Sequence, residues 1–354
     1  MIKIIAEAGI NHNGSLEKAL QLVEIAAHAG ADYVKFQTYK VASLMRADAP
    51  KAKYQLLKGG EKTTQYELLA HCKLSSEDHR KIKQYCDGLK IGFLSTAFDI
   101  ASARFLIEAF SPDFLKIPSG EITNSEYLYE HAITRRPMLV STGMATEGEI
   151  EEALGVIASG LEGCVVPARR NLRNVWSLEN QRRNLARYVC LLHCVSDYPT
   201  KPDEANLRAI DRLKKKFGLD VGLSDHSKGI YIPIAAAVMG ISVIEKHFTV
   251  SRSEEGPDQE VSVEPDELTS MIDAIREVER ARGKEEKKPT VLEMETRKTA
   301  RKSLVASRAI RKGEYFSRDN LTAKRPGTGR SAMDYWELIG QPATRDYQQD
   351  DFIL

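Results

Sequence analysis

Two histidines, His226 in Gly-Leu-Ser-Asp-His and His247 in Glu-Lys-His-Phe-Thr, each close a short apolar run with the composition of a β-strand. They lie about one strand–helix repeat apart, so both imidazoles fall at the same end of neighbouring parallel strands. Two neutral imidazoles suit a borderline divalent ion such as Mn²⁺, Co²⁺ or Zn²⁺, with positions left open for water and a substrate oxygen. Such an ion would polarise an aldehyde as a Lewis acid. A lone strand-end histidine is more often structural than a ligand, so this reading needs support from the other strand ends.

Those ends are polar. In chain order they offer Glu7 with Asn11 and His12, Lys35 with Gln37, Ser95 with Thr96, and Lys116 with Ser119 and Glu121. Ser141 with Thr142, His193 with Ser196, Ser224 with His226, and Lys246 with His247 complete the series. Lys35 and Lys116 with Ser119, Ser141 and Ser224 form a cradle for a phosphate and a carboxylate: ammonium groups bring charge, hydroxyls bring direction. Cys194 lies beside this set but reads as a buried structural thiol.

The elements that must position these groups recur along the chain. β-rich runs at 2–7, 33–37, 91–95, 114–117, 138–141, 188–194, 220–224 and 242–246 alternate with helical patterns. Eight such repeats predict a parallel (β/α)8 TIM barrel, in which the C-terminal strand ends carry the active site. Ser15 is the expected N-cap and Gly30 the stop of the first helix. Thr146 and Glu149 form a capping box, and Pro265 opens a helix reaching about Arg282.

After residue 283 the pattern changes. Residues 284–300 read as a charged linker, and residues 301–354 as a small domain of short strands and turns, giving a 1–283 barrel, a linker and an appendage. The chain carries a formal net charge of +1, so no global field points to nucleic acid or an anionic membrane, and an anionic substrate needs a local cluster. No apolar run of membrane-spanning length occurs, and the start is wrongly flanked for a signal peptide. The expected location is cytoplasmic, with the five cysteines reduced.

Read together, Ile-Ala-Glu7-Ala-Gly-Ile-Asn-His-Asn-Gly, Val-Lys35-Phe-Gln37-Thr, Ala-Pro-Lys-Ala-Lys-Tyr54-Gln, Lys116-Ile-Pro-Ser119-Gly-Glu121, Ser141-Thr-Gly-Met, Gly-Leu-Ser224-Asp-His226 and Glu-Lys-His247-Phe-Thr closely resemble the N-acetylneuraminate (sialic acid) synthase family. Ala-Arg-Lys-Ser303-Leu and Lys324-Arg325-Pro-Gly-Thr-Gly look like its C-terminal antifreeze-like (SAF, β-clip) domain. The resemblance implies condensation of phosphoenolpyruvate with N-acetylmannosamine or a close derivative, and water, to give a nine-carbon 2-keto acid and phosphate. It implies that Lys35, Thr96, Lys116, Ser119, Ser141, Ser196 and Ser224 hold phosphoenolpyruvate. His226 and His247 would bind a divalent metal, Mn²⁺ first with Mg²⁺ or Co²⁺ as alternatives. Gln37, Tyr198 and Asp258 would face the sugar. Glu121 would activate water, and Glu7 would orient hydroxyls or share proton transfer. Arg325 would reach the N-acetyl group from a partner subunit, in a domain-swapped homodimer.

The chain departs from the family pattern at three places. Ser196 stands where Asn or Thr is usual, Gln259 follows Asp258 where His is common, and the basic stretch 163–187 reads as a solvated insertion. The nearest rival substrate is a 2,4-diacetamido-2,4,6-trideoxymannose, giving N,N'-diacetyllegionaminate; the motifs rank it second. A Schiff-base aldolase using Lys35 or Lys116, and a non-catalytic sugar-binding protein, are alternatives of other kinds.

Overall fold

A computed structural model describes residues 1–46 and 64–354; the motif around Tyr54 lies outside the described residues. Its eight main strands are β1 (Lys3–Gly9), β2 (Tyr33–Thr38), β3 (Gly92–Ala97), β4 (Leu115–Ile117), β5 (Met138–Ser141), β6 (Val189–His193), β7 (Asp220–Asp225) and β8 (Val243–His247). Hydrogen bonds link them in the order β3-β2-β1-β8-β7-β6-β5-β4, every ladder parallel, and β3 meets β4 at the seam. This is the expected eight-stranded barrel with its helices outside. Among the described residues no helix is long and apolar enough to cross a membrane, and all five cysteines are free.

Strand alternation sorts the side chains into layers. Ile5, Tyr33, Leu94, Leu139, Leu192 and Val243 pack together as an apolar floor inside the barrel, with Phe114 and Cys190 beside them. Their neighbours of opposite parity, including Ile4, Ala6, Val34, Phe36, Val140, Leu191 and Ile244, join the larger core between strands and helices. Two residues beyond each floor residue, on the same face, come Glu7, Lys35, Thr96, Lys116, Ser141, Cys194 and Glu245. The pleat therefore raises a polar layer directly above an apolar one.

The helices begin where local chemistry predicts. Ser15 caps Leu16–His28 by accepting from the Lys18 amide, and Gly30 follows with φ of 81°. Thr146 and Glu149 cap Glu147–Glu162 reciprocally, and Pro265 opens Pro265–Arg282.

The basic stretch 163–187 is largely solvated, as expected, but it is folded. It forms the helices Leu172–Ser177 and Glu179–Tyr188, with Leu172, Trp176 and Leu185 buried. Gly155 lets the segment close on the barrel's own helix: a Cβ there would lie 2.3 Å from the Leu172 carbonyl oxygen. Arg169 and Arg173 lie against Glu152 at 2.8 and 3.2 Å. Most of the remaining side chains of the segment, Val165 and Leu178 among them, stay exposed.

The barrel residues form one compact unit, Met1–Gly283, and Lys284–Leu354 a second. In the second, β9 (Ser303–Ala306) pairs antiparallel with β10 (Leu321–Lys324). A small core of its own gathers Leu304, Ile310, Phe316, Leu321, Tyr347 and Ile353. The stretch expected as linker contains a helix, Val291–Ala300, started by a Thr290–Glu293 capping box.

Candidate active site

The polar layer is a buried charge network. Lys35 Nζ lies 2.7 Å from Glu7 Oε2, 2.7 Å from Thr96 Oγ1 and 3.5 Å from Glu245 Oε2. Lys116 Nζ lies 2.6 and 2.9 Å from the two Glu245 oxygens, and Ser224 Oγ donates to the same carboxylate at 2.7 Å. Side chains this buried (3 % exposed for Lys35, 7 % for Lys116) need counter-charges.

Burial tends to raise the Glu245 carboxyl, but Lys116 and Lys35 hold it well below the usual range. Glu7 goes the other way: burial, opposed by Lys35 and assisted by Glu245, raises it to about 7. One carboxylate stays ionised while the other holds a proton near neutrality. Glu245 is absent from the strand-end groups read in the sequence, because it falls inside the 242–246 run. Its parity with His247 on β8 was the available signal.

Beside the lysines the backbone closes in. The Gly143 amide lies 3.1 Å from both Ser119 Oγ and Cys194 Sγ. A Cβ at Gly143 would lie 2.3 Å from Ser196 Oγ, so only glycine fits between these groups. Ser141 is buried at the end of β5. Cys194 is buried as expected, yet its Sγ lies 3.2 Å from Ser119 Oγ and it borders the cradle.

The two histidines come together, with ring centroids 5.7 Å apart. His226 Nδ1 faces the Val195 carbonyl at 2.7 Å and so carries the proton, leaving the lone pair on Nε2. Tyr198 stacks on this ring at 4.1 Å and places its hydroxyl 3.0 Å from that nitrogen. His247 keeps a buried Nδ1 with no hydrogen-bond partner. Burial pushes His226 down to about 4 and His247 well below its ordinary value, so both imidazoles are neutral near pH 7. The His226 Nε2 lone pair, shared with the Tyr198 hydroxyl, and the unpartnered buried His247 Nδ1 together fit a divalent ion. Among the described residues no group of three or more His, Cys, Asp or Glu side chains is arranged to hold a metal. Water and substrate would therefore complete the coordination of an ion held by this pair.

Next to His247 a cavity of about 270 Å³ opens. Gln37, Tyr198 and Asp258 all line it, facing an apolar wall that includes Ile10, Leu69 and Phe98. Burial raises the Asp258 carboxyl to about 6. Gln259 is buried behind this cavity, where it accepts from Thr249 Oγ1 and donates to the Asn11 carbonyl at 3.2 Å.

Several strand-end groups have partners other than the lysine and histidine cluster. Glu121 sits in the short turn Ser119–Glu121, half-buried, where Asn124 Nδ2 donates to it at 2.7 Å. His193 pairs with the Ala205 carbonyl at 2.8 Å, and His12 accepts from the Gly14 amide. Asn11 donates to the Phe248 carbonyl and Ser262 Oγ, tying loops together. Lys246 points away from the barrel axis and pairs with Asp225 at 2.6 Å. Arg325 belongs to the second unit, where its Nε donates to the Ala300 carbonyl at 3.0 Å.

Residues 22–287 match the NeuB family and residues 301–354 match the SAF domain. An N,N'-diacetyllegionaminic acid synthase of Campylobacter jejuni is 43 % identical over 99 % of this chain and 98 % of its own. Another, from Legionella pneumophila, is 40 % identical over 95 % of this chain and 89 % of its own. The crystal structure of an N-acetylneuraminic acid (sialic acid) synthetase from Leptospira borgpetersenii superposes with a TM-score of 0.68 at 32 % identity, covering 83 % of this chain and 90 % of that one. The chain belongs to the NeuB family and carries a C-terminal SAF domain.

Proposed function

We propose that this NeuB-family chain condenses phosphoenolpyruvate with the open-chain form of an N-acetylated, mannose-type amino sugar and water, giving a nine-carbon 2-keto acid and phosphate. The observation that carries the reading is the pairing of two buried lysines with two neutral imidazoles at one barrel mouth. Lys35 and Lys116 stabilise charge already present on the phosphate and carboxylate, while Thr96, Ser119, Ser141, Ser196 and Ser224 direct the oxygens. Gln37, Tyr198 and Asp258 orient the sugar in the adjoining cavity, so that its aldehyde carbon lies against C3 of the enol.

His226 and His247 would hold a divalent ion, Mn²⁺ by preference, which when bound supplies Lewis-acid polarisation of the aldehyde. As C3 attacks, Glu7 delivers its proton to the developing alkoxide; its raised pKa suits that task near neutrality. Water then adds at C2, with Glu121 taking its proton, and the tetrahedral intermediate expels phosphate by C–O cleavage. Arg325 completes the sugar site from the SAF domain of a partner subunit in a domain-swapped homodimer.

Of the two candidate sugars, the diacetamido-trideoxy sugar is now the better one, reversing the order drawn from the motifs. Its support is the identity to two N,N'-diacetyllegionaminic acid synthases and the apolar cavity wall, which suits a C6 methyl better than a hydroxyl. N-acetylmannosamine is the second reading, favoured by the likeness to the sialic acid synthetase structure.

The test is phosphate release from phosphoenolpyruvate with each sugar in turn, with Mn²⁺ and after chelation. Release is expected to need both sugar and metal, with the higher kcat/KM for the diacetamido sugar. No release with either sugar would leave a sugar-binding protein. Condensation of pyruvate with either sugar that survives chelation and is lost irreversibly on borohydride treatment would point to a Schiff-base aldolase.

A further inference from the structure

The β7–β8 ladder sets Asp225 opposite Lys246. Each immediately precedes one of the two site histidines, and alternation turns both side chains away from the barrel axis. Lys246 is 0 % exposed and Asp225 4 %. The Lys246 ammonium donates to the Asp225 carboxylate at 2.6 Å and also to the Ser227 carbonyl. Asp225 in turn accepts from the Ser227 amide at 3.2 Å and from Ser227 Oγ at 2.9 Å.

His226 is thus bracketed: the residue before it and the residue after it are bound to one ammonium. The Thr200 amide fixes the His226 carbonyl at 3.0 Å from a third direction. Lys246 is covalently next to His247, so the same side chain ties together the backbones that carry both imidazoles. Burying an ion pair where apolar residues would fill the space at least as well calls for a reason beyond stability.

A cation held by only two protein ligands supplies that reason. With no third or fourth side chain to correct a misplaced ring, the separation of the two rings must be set by what stands behind them. We propose that Asp225 and Lys246 are positioning residues that fix the spacing of His226 and His247 for divalent-cation binding. They act through the backbone and touch no substrate. The inference rests on the reading of the histidine pair as a cation site.

The experiment titrates Mn²⁺ into metal-free full-length protein without substrates, following free Mn²⁺ by electron paramagnetic resonance. Lys246→Met alone strands a buried carboxylate, so the paired variant Asp225→Asn/Lys246→Met carries the test, with circular dichroism and Tm recorded alongside. The paired variant is expected to keep its fold while binding Mn²⁺ about tenfold or more weakly, whereas His226→Ala loses binding. A purely structural pair would lower Tm and leave the Mn²⁺ Kd unchanged. Wild-type Kd in the paired variant, with His226→Ala still unable to bind, overturns the positioning role alone. Wild-type Kd in His226→Ala overturns the cation site and the positioning role together.

Discussion

Glu245 on β8 and Lys116 on β4 meet across the barrel, Oε1 to Nζ at 2.6 Å, and the same carboxylate faces Lys35 at 3.5 Å. Two ammonium groups aimed at one point would repel each other if nothing negative lay between them. Glu245 keeps them converged, and an incoming phosphate or carboxylate would have to share them with it. The cradle is preorganised by an anion of the protein's own.

Glu245→Gln therefore acts on the free protein first. Stranding the buried Lys116 ammonium, while Lys35 keeps Glu7, is expected to cost about 3–5 kcal/mol. Phosphoenolpyruvate should restore part of this, so its stabilising effect on Tm should exceed that seen with wild type. Equal ligand-induced shifts in the two proteins would show that Glu245 and the ligand do not share the lysines.

Asp258 gives a pH signature. Burial raises its carboxyl from 3.8 to about 6. Below pH 3.8 the folded and unfolded chains are both protonated there and nothing is lost. As pH rises towards 6 the unfolded chain releases its proton first, so this contribution to stability falls and then levels off. Asp258→Asn escapes the penalty and should be more stable than wild type at pH 8 by about 3 kcal/mol, with the gap closing towards pH 4.5. Urea unfolding at the two pH values measures it; a gap independent of pH would remove burial of the charge as its cause.

Trp176 probes the 163–187 segment. Its ring is buried, 5.4 Å from Phe217 and beneath the Arg182 guanidinium. Trp176→Ala is expected to cost about 3–5 kcal/mol in denaturant unfolding while leaving kcat and both KM values near wild type. A changed KM at unchanged Tm would connect the segment to substrate instead.

Arg325→Ala should raise the sugar KM, and His226→Ala should abolish turnover. In a swapped dimer the two defects complement each other. A mixed dimer holds one site with both lesions and one with neither, so unfolding and refolding the two variants together should recover turnover at low sugar concentration that neither has alone. Recovery no greater than the sum of the separate variants would place Arg325 outside the partner's site.

Much of the architecture was legible because strand alternation is a strong signal. All eight strands lie within two residues of the runs seen in the sequence. The inward parity of Lys35, Lys116 and His247 followed from the same pattern. What stayed hidden was disguised by position or composition. Glu245 falls inside the 242–246 run and not at its end, so it is absent from the strand-end set, although its register makes it central. The 163–187 segment is so rich in arginine that the Leu172–Trp176 spacing of one helical turn, with Leu185 beyond it, escaped notice. In 284–300 the lysines and glutamates masked the Thr290–Glu293 box that starts a helix. Lys246 stands with the strand-end groups in the sequence, but parity sends its side chain outward to Asp225.

The in–out–in order of Glu245, Lys246 and His247 ties the chemistry to the hydrogen-bond frame of the barrel itself. A slip of β8 by a single residue against β1 would turn the ammonium inward and drive both carboxylate and imidazole into the helical shell. An insertion or deletion within this strand would thus be ruinous. Its length is under the same selection as its reactive groups.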